Sequence, residues 1–266
     1  MKDKIILSIL KASSSLKNML KDMDKKNLDL KRITKTASLL ILSGLSINSI
    51  PLSIIERCIK EQELDGGWIA IGDTTWNTFF LKLVGKTKYY KKGISFLENN
   101  KNSDGLWGRN LRDKSRIPVS GLILYLFPEE LGNTATLNQL ENLWIEEKNS
   151  LTYKAGYTLM AFYNNNYLPR HKGLINDTVL WLISQQREDG SFAPWKEHPV
   201  NSDIFCTSIA LLGLFCYSSL VSFEIFKKAV EWLIKTQLSS GIWSYHEIED
   251  GASWCLYILS KLIKIF

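Results

Sequence analysis

Gln62-Glu63-Leu64-Asp65-Gly66-Gly67-Trp68 is one of four short stretches built on the same frame: a polar residue, three positions, a glycine, one position, an aromatic. The others run from Lys101 to Gly105 and Trp107, from Gln186 to Gly190 and Phe192, and from Gln237 to Gly241 and Trp243. An aspartate directly precedes the glycine in three of them (Asp65, Asp104, Asp189), and Ser240 takes that place in the fourth. Four copies of one frame in a chain of 266 residues mark an internal repeat.

Each copy sits in the same context. Upstream lies an amphipathic helical stretch: Ile54 to Lys60, Lys91 to Glu98, Thr178 to Ser184 and Phe226 to Thr236. Downstream comes a more continuously apolar one: Trp76 to Val84, Val119 to Phe127, Ile204 to Phe215 and Ser253 to Ile265. Apolar residues all round a helix imply burial on both sides, so each unit reads as outer helix, Asp-Gly turn, inner helix. The glycine is expected to end the outer helix in the left-handed conformation. The aromatic should pack back over the helix end, and the glutamine should tie the turn to its neighbour.

The glycines are 39, 85 and 51 residues apart, and the long gap holds about two units. Leu143-Trp144-Ile145, followed by Tyr153 to Tyr163, fits a degenerate copy, and Ile33 to Leu45 fits a first inner helix without its motif. The expectation is an all-α protein of about six helical hairpins, enough to close a ring. Residues 1–29 form a basic amphipathic segment, and 30–266 form the single repeat domain.

Composition agrees with one globular domain: 45% hydrophobic, 23% charged, 11% aromatic, with six prolines and no linker rich in Pro, Gly or Ser. The four cysteines lack CxxC spacing and read as buried thiols. There is no signal-peptide pattern and no apolar run of bilayer-spanning length, so a cytoplasmic protein is expected. The net charge of +6 is concentrated in Lys11, Lys17, Lys21, Lys25, Lys26, Lys31, Arg32 and Lys35. No groove-reading motif accompanies it, so nucleic acid is not the expected partner. The first reading is a solvated helix face. The second is peripheral contact with an anionic membrane surface, with Ile5, Ile6, Leu7, Ile9 and Leu10 as the apolar side.

The frame Gln62/Gly66/Trp68, repeated as Gln237/Gly241/Trp243, resembles the QW motif of the prenyltransferase and squalene–hopene cyclase repeat superfamily. The resemblance covers about residues 30–266 and implies an α/α toroid; it says less about activity, because such folds host several chemistries. Proton-initiated terpene cyclases of that family carry Asp-x-Asp-Asp-Thr-Ala at the start of an inner helix. The corresponding stretch is Asp203-Ile204-Phe205-Cys206-Thr207-Ser208, which keeps the first Asp and the Thr but places Phe205 at the proton donor. Protein prenyltransferases use Asp, Cys and His on zinc. Asp250-Gly251-Ala252 resembles their Asp-Gly-Cys, with Ala252 in place of the thiolate. His171, His198 and His246 do not pair at ligand spacing, so no metal site is expected.

Three inner stretches begin with an aspartate: Asp73, Asp203 and Asp250. Each suits a helix N-cap, and three carboxylates at one mouth of an apolar cavity would also raise one another's pKa, making one an acid. Asp203 is the leading candidate, supported by Asp73 and Asp250. The loop Gly108 to Arg116 carries Arg109, Arg112 and Arg116, matched to a phosphate or diphosphate, or else a solvated loop. Trp76, Tyr125, Tyr157, Phe205 and Trp254 form a candidate aromatic wall able to stabilise a carbocation, or are plain core.

The first functional reading is a terpene cyclase-like or prenyltransferase-like enzyme acting on an isoprenoid or similar apolar substrate. It calls for no cofactor, with magnesium entering only if a diphosphate is bound. The alternatives are a peptide- or natural-product-modifying cyclase on the same fold, and a non-catalytic toroid that binds a peptide, lipid or protein partner.

Overall fold

The computed structural model describes residues 1–199 and 203–266, and among these every regular element is helical. The chain runs in hairpins. α1 (Lys2–Lys25) leads into α2 (Leu30–Leu42), α3 (Leu52–Lys60) into α4 (Ile71–Leu83), and α5 (Thr87–Asn99) into α6 (Ile117–Leu126). After the single turn α7 (Pro128–Leu131), α8 (Thr134–Glu147) leads into α9 (Thr152–Asn164). Then come α10 (Leu174–Ser184) with α11 (Ile204–Cys216), and α12 (Phe223–Thr236) with α13 (Ile248–Leu262).

The second helix of each pair is the inner one. α2, α4, α6, α9, α11 and α13 pack in that order, and α13 returns to α2, closing the ring. Their composition explains the placement: α4, α9, α11 and α13 are buried along nearly their whole length, whereas α3 and α12 bury a single stripe. Inner helices start at one end of the ring and finish at the other.

The repeated frame holds the units together. The Gln62 side chain donates to the carbonyl of Gly66 in its own turn (2.9 Å) and to that of Tyr89 in α5 (3.0 Å). Gln186 does the same with Gly190 and Ile225 of α12, and Gln237 with Gly241 and Ser8 of α1. The aspartate before the glycine accepts from a backbone N–H two residues on: Asp65 from Gly67, Asp104 from Leu106, Asp189 from Ser191. Trp107 and Trp243 donate their indole N–H back to Leu97 and Leu233 of the outer helices, each at 2.7 Å.

One expectation changes. The glycine does not end the outer helix: α3 stops at Lys60, six residues before Gly66. Gly66, Gly190 and Gly241 take positive φ (+94°, +92° and +88°) within the turn, and a Cβ there would press into the backbone of the next outer helix at Lys92, Lys228 and Lys11. The glycine is required both by conformation and by the close approach of a neighbouring unit.

α1 is the outer helix that closes the ring. Ile5, Ala12, Leu16, Leu20 and Met23 are buried against α13, α2 and α12. Of the apolar residues near its start, Ile5 enters the core while Ile6, Leu7 and Leu10 stay exposed. No described helix is long and apolar enough to cross a membrane.

Candidate functional site

The N-terminal turns of the inner helices surround one mouth of the ring, and the residues singled out from sequence fall there with two exceptions. Asp73, on the first turn of α4, is buried and lies 3.7 Å from the ammonium of Lys31 on α2. Burial pushes its carboxyl above the usual aspartate range; Lys31 opposes the shift, and nearby Asp29 adds to it. Asp250, on the first turn of α13, is ion-paired with Lys35, one turn along α2 from Lys31. Asp203 is the N-cap of α11, accepting from the Cys206 N–H at 2.6 Å. Thr207, also matched to the family's segment, serves the repeat: its hydroxyl accepts from the Phe192 N–H at 3.0 Å, as Ser120 does for Trp107.

Four of the five wall residues touch in series. Trp76 meets Trp254 edge-on at 5.7 Å between ring centres, Trp254 meets Tyr157 at 6.3 Å, and Tyr157 meets Phe205 at 6.5 Å. Phe205 is also packed by Tyr153 and stacked on Tyr245. The fifth, Tyr125, lies at the far end of α6, its hydroxyl 2.6 Å from that of Tyr257.

A pocket of about 280 Å³ opens where this series meets the basic loop; Arg109, Lys114, Arg116, Tyr153, Tyr157 and Phe205 line it. Arg116 is clamped by Asp113 through two bonds (2.6 and 2.9 Å), which holds the Asp113 carboxyl down at about 2. Arg109 and Lys114 make no ion pair among the described residues, so their charges are available to an anion. Arg112 is the second exception: it is exposed in the loop and does not line the pocket. The aspartates do not line this pocket. Asp73 lines a separate one of about 310 Å³ with Trp68, Asn77 and Arg57. No group of three or more His, Cys, Asp or Glu side chains among the described residues is placed to hold a metal ion.

Several residues that shape the site were not singled out. Lys31, Arg32 and Lys35, expected on a solvated face, instead pair with Asp73, Glu249 and Asp250. Lys35 lies beside two touching indoles, its ammonium 5.5 Å from the ring centre of Trp76 and 5.9 Å from that of Trp254. The signal was available: Lys31 and Lys35 are four apart at the start of the first inner stretch, so they share a face that the ring must bury. Tyr245 lies within electrostatic reach of both Asp203 and Asp250; burial first, then those two carboxylates, hold its phenol far above the ordinary tyrosine value.

No protein-family model matches the sequence, and no curated protein does. Solved structures match over the whole chain. The ligand-free type II terpene cyclase MstE from Scytonema superposes with a TM-score of 0.76 at 14% identity, covering 100% of both chains. A variant of that cyclase in complex with its product merosterolic acid A gives 0.76 at 15%, covering 100% of this chain and 99% of the other. A protein from Actinoplanes gives 0.66 at 13%, with 88% and 90% covered. The fold is a terpene cyclase-like α/α toroid. At these identities the likeness is one of architecture.

Proposed function

We propose that this protein is a terpene cyclase-like enzyme acting on an isoprenoid or similarly apolar chain. The observation that carries the reading is the series Trp76, Trp254, Tyr157, Phe205 running from the buried centre to a pocket rimmed by Arg109 and Lys114. An acidic head group such as a diphosphate would sit at the rim, and the chain would lie along the ring faces, whose quadrupoles stabilise positive charge developing in a low-dielectric site. The pocket is at the small end of ligand sites, so a longer chain requires Lys35 to withdraw from beside Trp76 and Trp254.

Asp73 is the carboxyl best suited to start the reaction, because burial makes its protonated form easier to keep. It would give its proton to an alkene carbon, the neighbouring alkene would close on the resulting cation, and a proton would leave to a carboxylate such as Asp250. One proton in and one out make the product an isomer of the substrate, with any diphosphate retained. Among the described residues no group of three or more acids is placed to hold magnesium, and no step is routed through one.

A specific observation favours a second reading, a toroid that binds without reacting: Phe205 stands at the family's proton-donor position, and the Lys35 ammonium already packs against Trp76 and Trp254. Incubation with geranyl, farnesyl and geranylgeranyl diphosphates, with and without magnesium, followed by mass spectrometry separates the two. An isomer of unchanged mass supports the cyclase; binding of every chain without a product supports the second reading.

A further inference from the structure

The opposite end of the ring, where α6, α9, α11 and α13 finish, holds a pocket of about 360 Å³. Inner helices of 13 residues are about 20 Å long, so this pocket and the one beside Arg109 are separated by the depth of the ring. Tyr125, Tyr163, Tyr257, Cys216, Lys261 and Lys264 line it, and no carboxylate does.

Lys261 stands apart from the other sheltered lysines. Lys35, Lys82, Lys101 and Lys154 each reach an acid: Asp250, Glu130, Glu98 and Glu147. Lys261 reaches none among the described residues; its ammonium lies instead 4.9 Å from the ring centre of Tyr257. Lys264, three residues on, adds a second positive charge to the same wall. The remaining groups facing it are neutral near pH 7. Burial lifts the Cys216 thiol to about 12, and the phenols of Tyr125 and Tyr257, hydrogen-bonded to each other, are raised as well. Burial and the neighbouring Lys264 both lower the Lys261 pKa, which increases its neutral amine fraction. A half-buried amine beside another cation, with no carboxylate to pair it, is an environment that activates lysine toward carbonyls.

We propose that this pocket is a second ligand site, in which Lys261 condenses with an aldehyde or ketone that carries an acidic group, Lys264 pairing with the acid. The nitrogen lone pair adds to the carbonyl carbon and the carbonyl oxygen takes up a proton. The carbinolamine then loses water to leave an imine, with no change of oxidation state. The Tyr125–Tyr257 hydroxyl pair can pass that proton, and three phenol rings suit a flat ligand body.

The test uses pyridoxal 5′-phosphate as the probe on the intact protein, at a concentration below that of the protein. Borohydride traps the imine and peptide mass mapping locates it. Lys261 should carry the principal adduct, severalfold ahead of the exposed Lys25 and Lys26, and Lys261→Met should lose it. Pyridoxal without the phosphate should label Lys261 more slowly, and Lys264→Met should erase the advantage of the phosphate. Labelling of Lys261 no faster than that of Lys25, or equal rates with the two probes, overturns the proposal.

Discussion

Lys35 and Asp250 form an ion pair beside two touching indoles: the carboxylate comes from α13, the ammonium from α2, and the ring centres of Trp76 and Trp254 lie 5.5 and 5.9 Å from the ammonium. The pair links the last inner helix to the first, so it belongs both to ring closure and to the candidate site. Both side chains are only 16% exposed, which makes the partnership expensive to break from one side. Lys35→Met should lower stability by about 2 kcal/mol, because Asp250 is left sheltered and unpaired. Adding Asp250→Asn should restore part of the loss. Denaturant midpoints of the two single variants and the double variant check this, and strict additivity would contradict it.

Asp73 gives a pH signature. Its folded pKa lies above the usual 3.8, so the native state holds the proton more tightly than the unfolded chain, and stability falls as pH rises from 3.8 through the raised value. Asp73→Asn carries no charge to desolvate. The stability difference between this variant and the native protein should therefore shift in the variant's favour across that window and level off above it. Urea midpoints collected from pH 3.5 to 7 provide the comparison; a difference independent of pH would show that burial and Lys31 cancel.

The repeat glycines separate into two classes. Gly190 has φ +92° and no room for a Cβ beside the Lys228 backbone, whereas Gly105, with φ +81°, has nothing nearer than a Gln139 side-chain carbon at 3.9 Å. Gly105→Ala should cost about 1 kcal/mol, the penalty of a left-handed residue alone. Gly190→Ala should cost more than about 2 kcal/mol, since the next helix must also move. Thermal unfolding of the two variants distinguishes the contributions.

The seam between the last turn and the first helix rests on Gln237, which donates to Gly241 at 2.8 Å and to Ser8 at 3.0 Å. Gln237→Ala should cost about 1–2 kcal/mol and loosen α1 before any other helix. Hydrogen exchange followed by mass spectrometry should show faster exchange over residues 2–25, with α6 and α9 unchanged.

The hairpin order and the roles of Gln62, Gln186, Gln237, Trp107 and Trp243 were legible because each repeats a local solution to the same packing problem. The site was only partly legible. The rim residues Arg109 and Arg116 and the series Trp76, Trp254, Tyr157 and Phe205 meet as their places on loop and inner helices suggest. Tyr125 falls at the other mouth because it sits nine residues into α6, a depth that marks the far end of an inner helix. Lys31 and Lys35 read as solvated because charge is usually exposed; their four-residue spacing marks a shared face of α2, while their partners Asp73 and Asp250 lie on other helices and leave no mark beside them in the sequence. Asp203, Asp73 and Asp250 look alike as helix starts; only packing separates a cap from a sheltered carboxyl and from an ion pair.

The central claim is that the buried carboxyl and the aromatic series perform carbocation chemistry. Its most direct test is product formation from geranylgeranyl diphosphate by the native protein, Asp73→Asn and Trp254→Leu, with near-ultraviolet circular dichroism confirming the fold of each. The account predicts an isomeric product from the native protein and a loss of at least about 100-fold in rate for Asp73→Asn, the scale of a missing general acid. Turnover by Asp73→Asn at the native rate would contradict it.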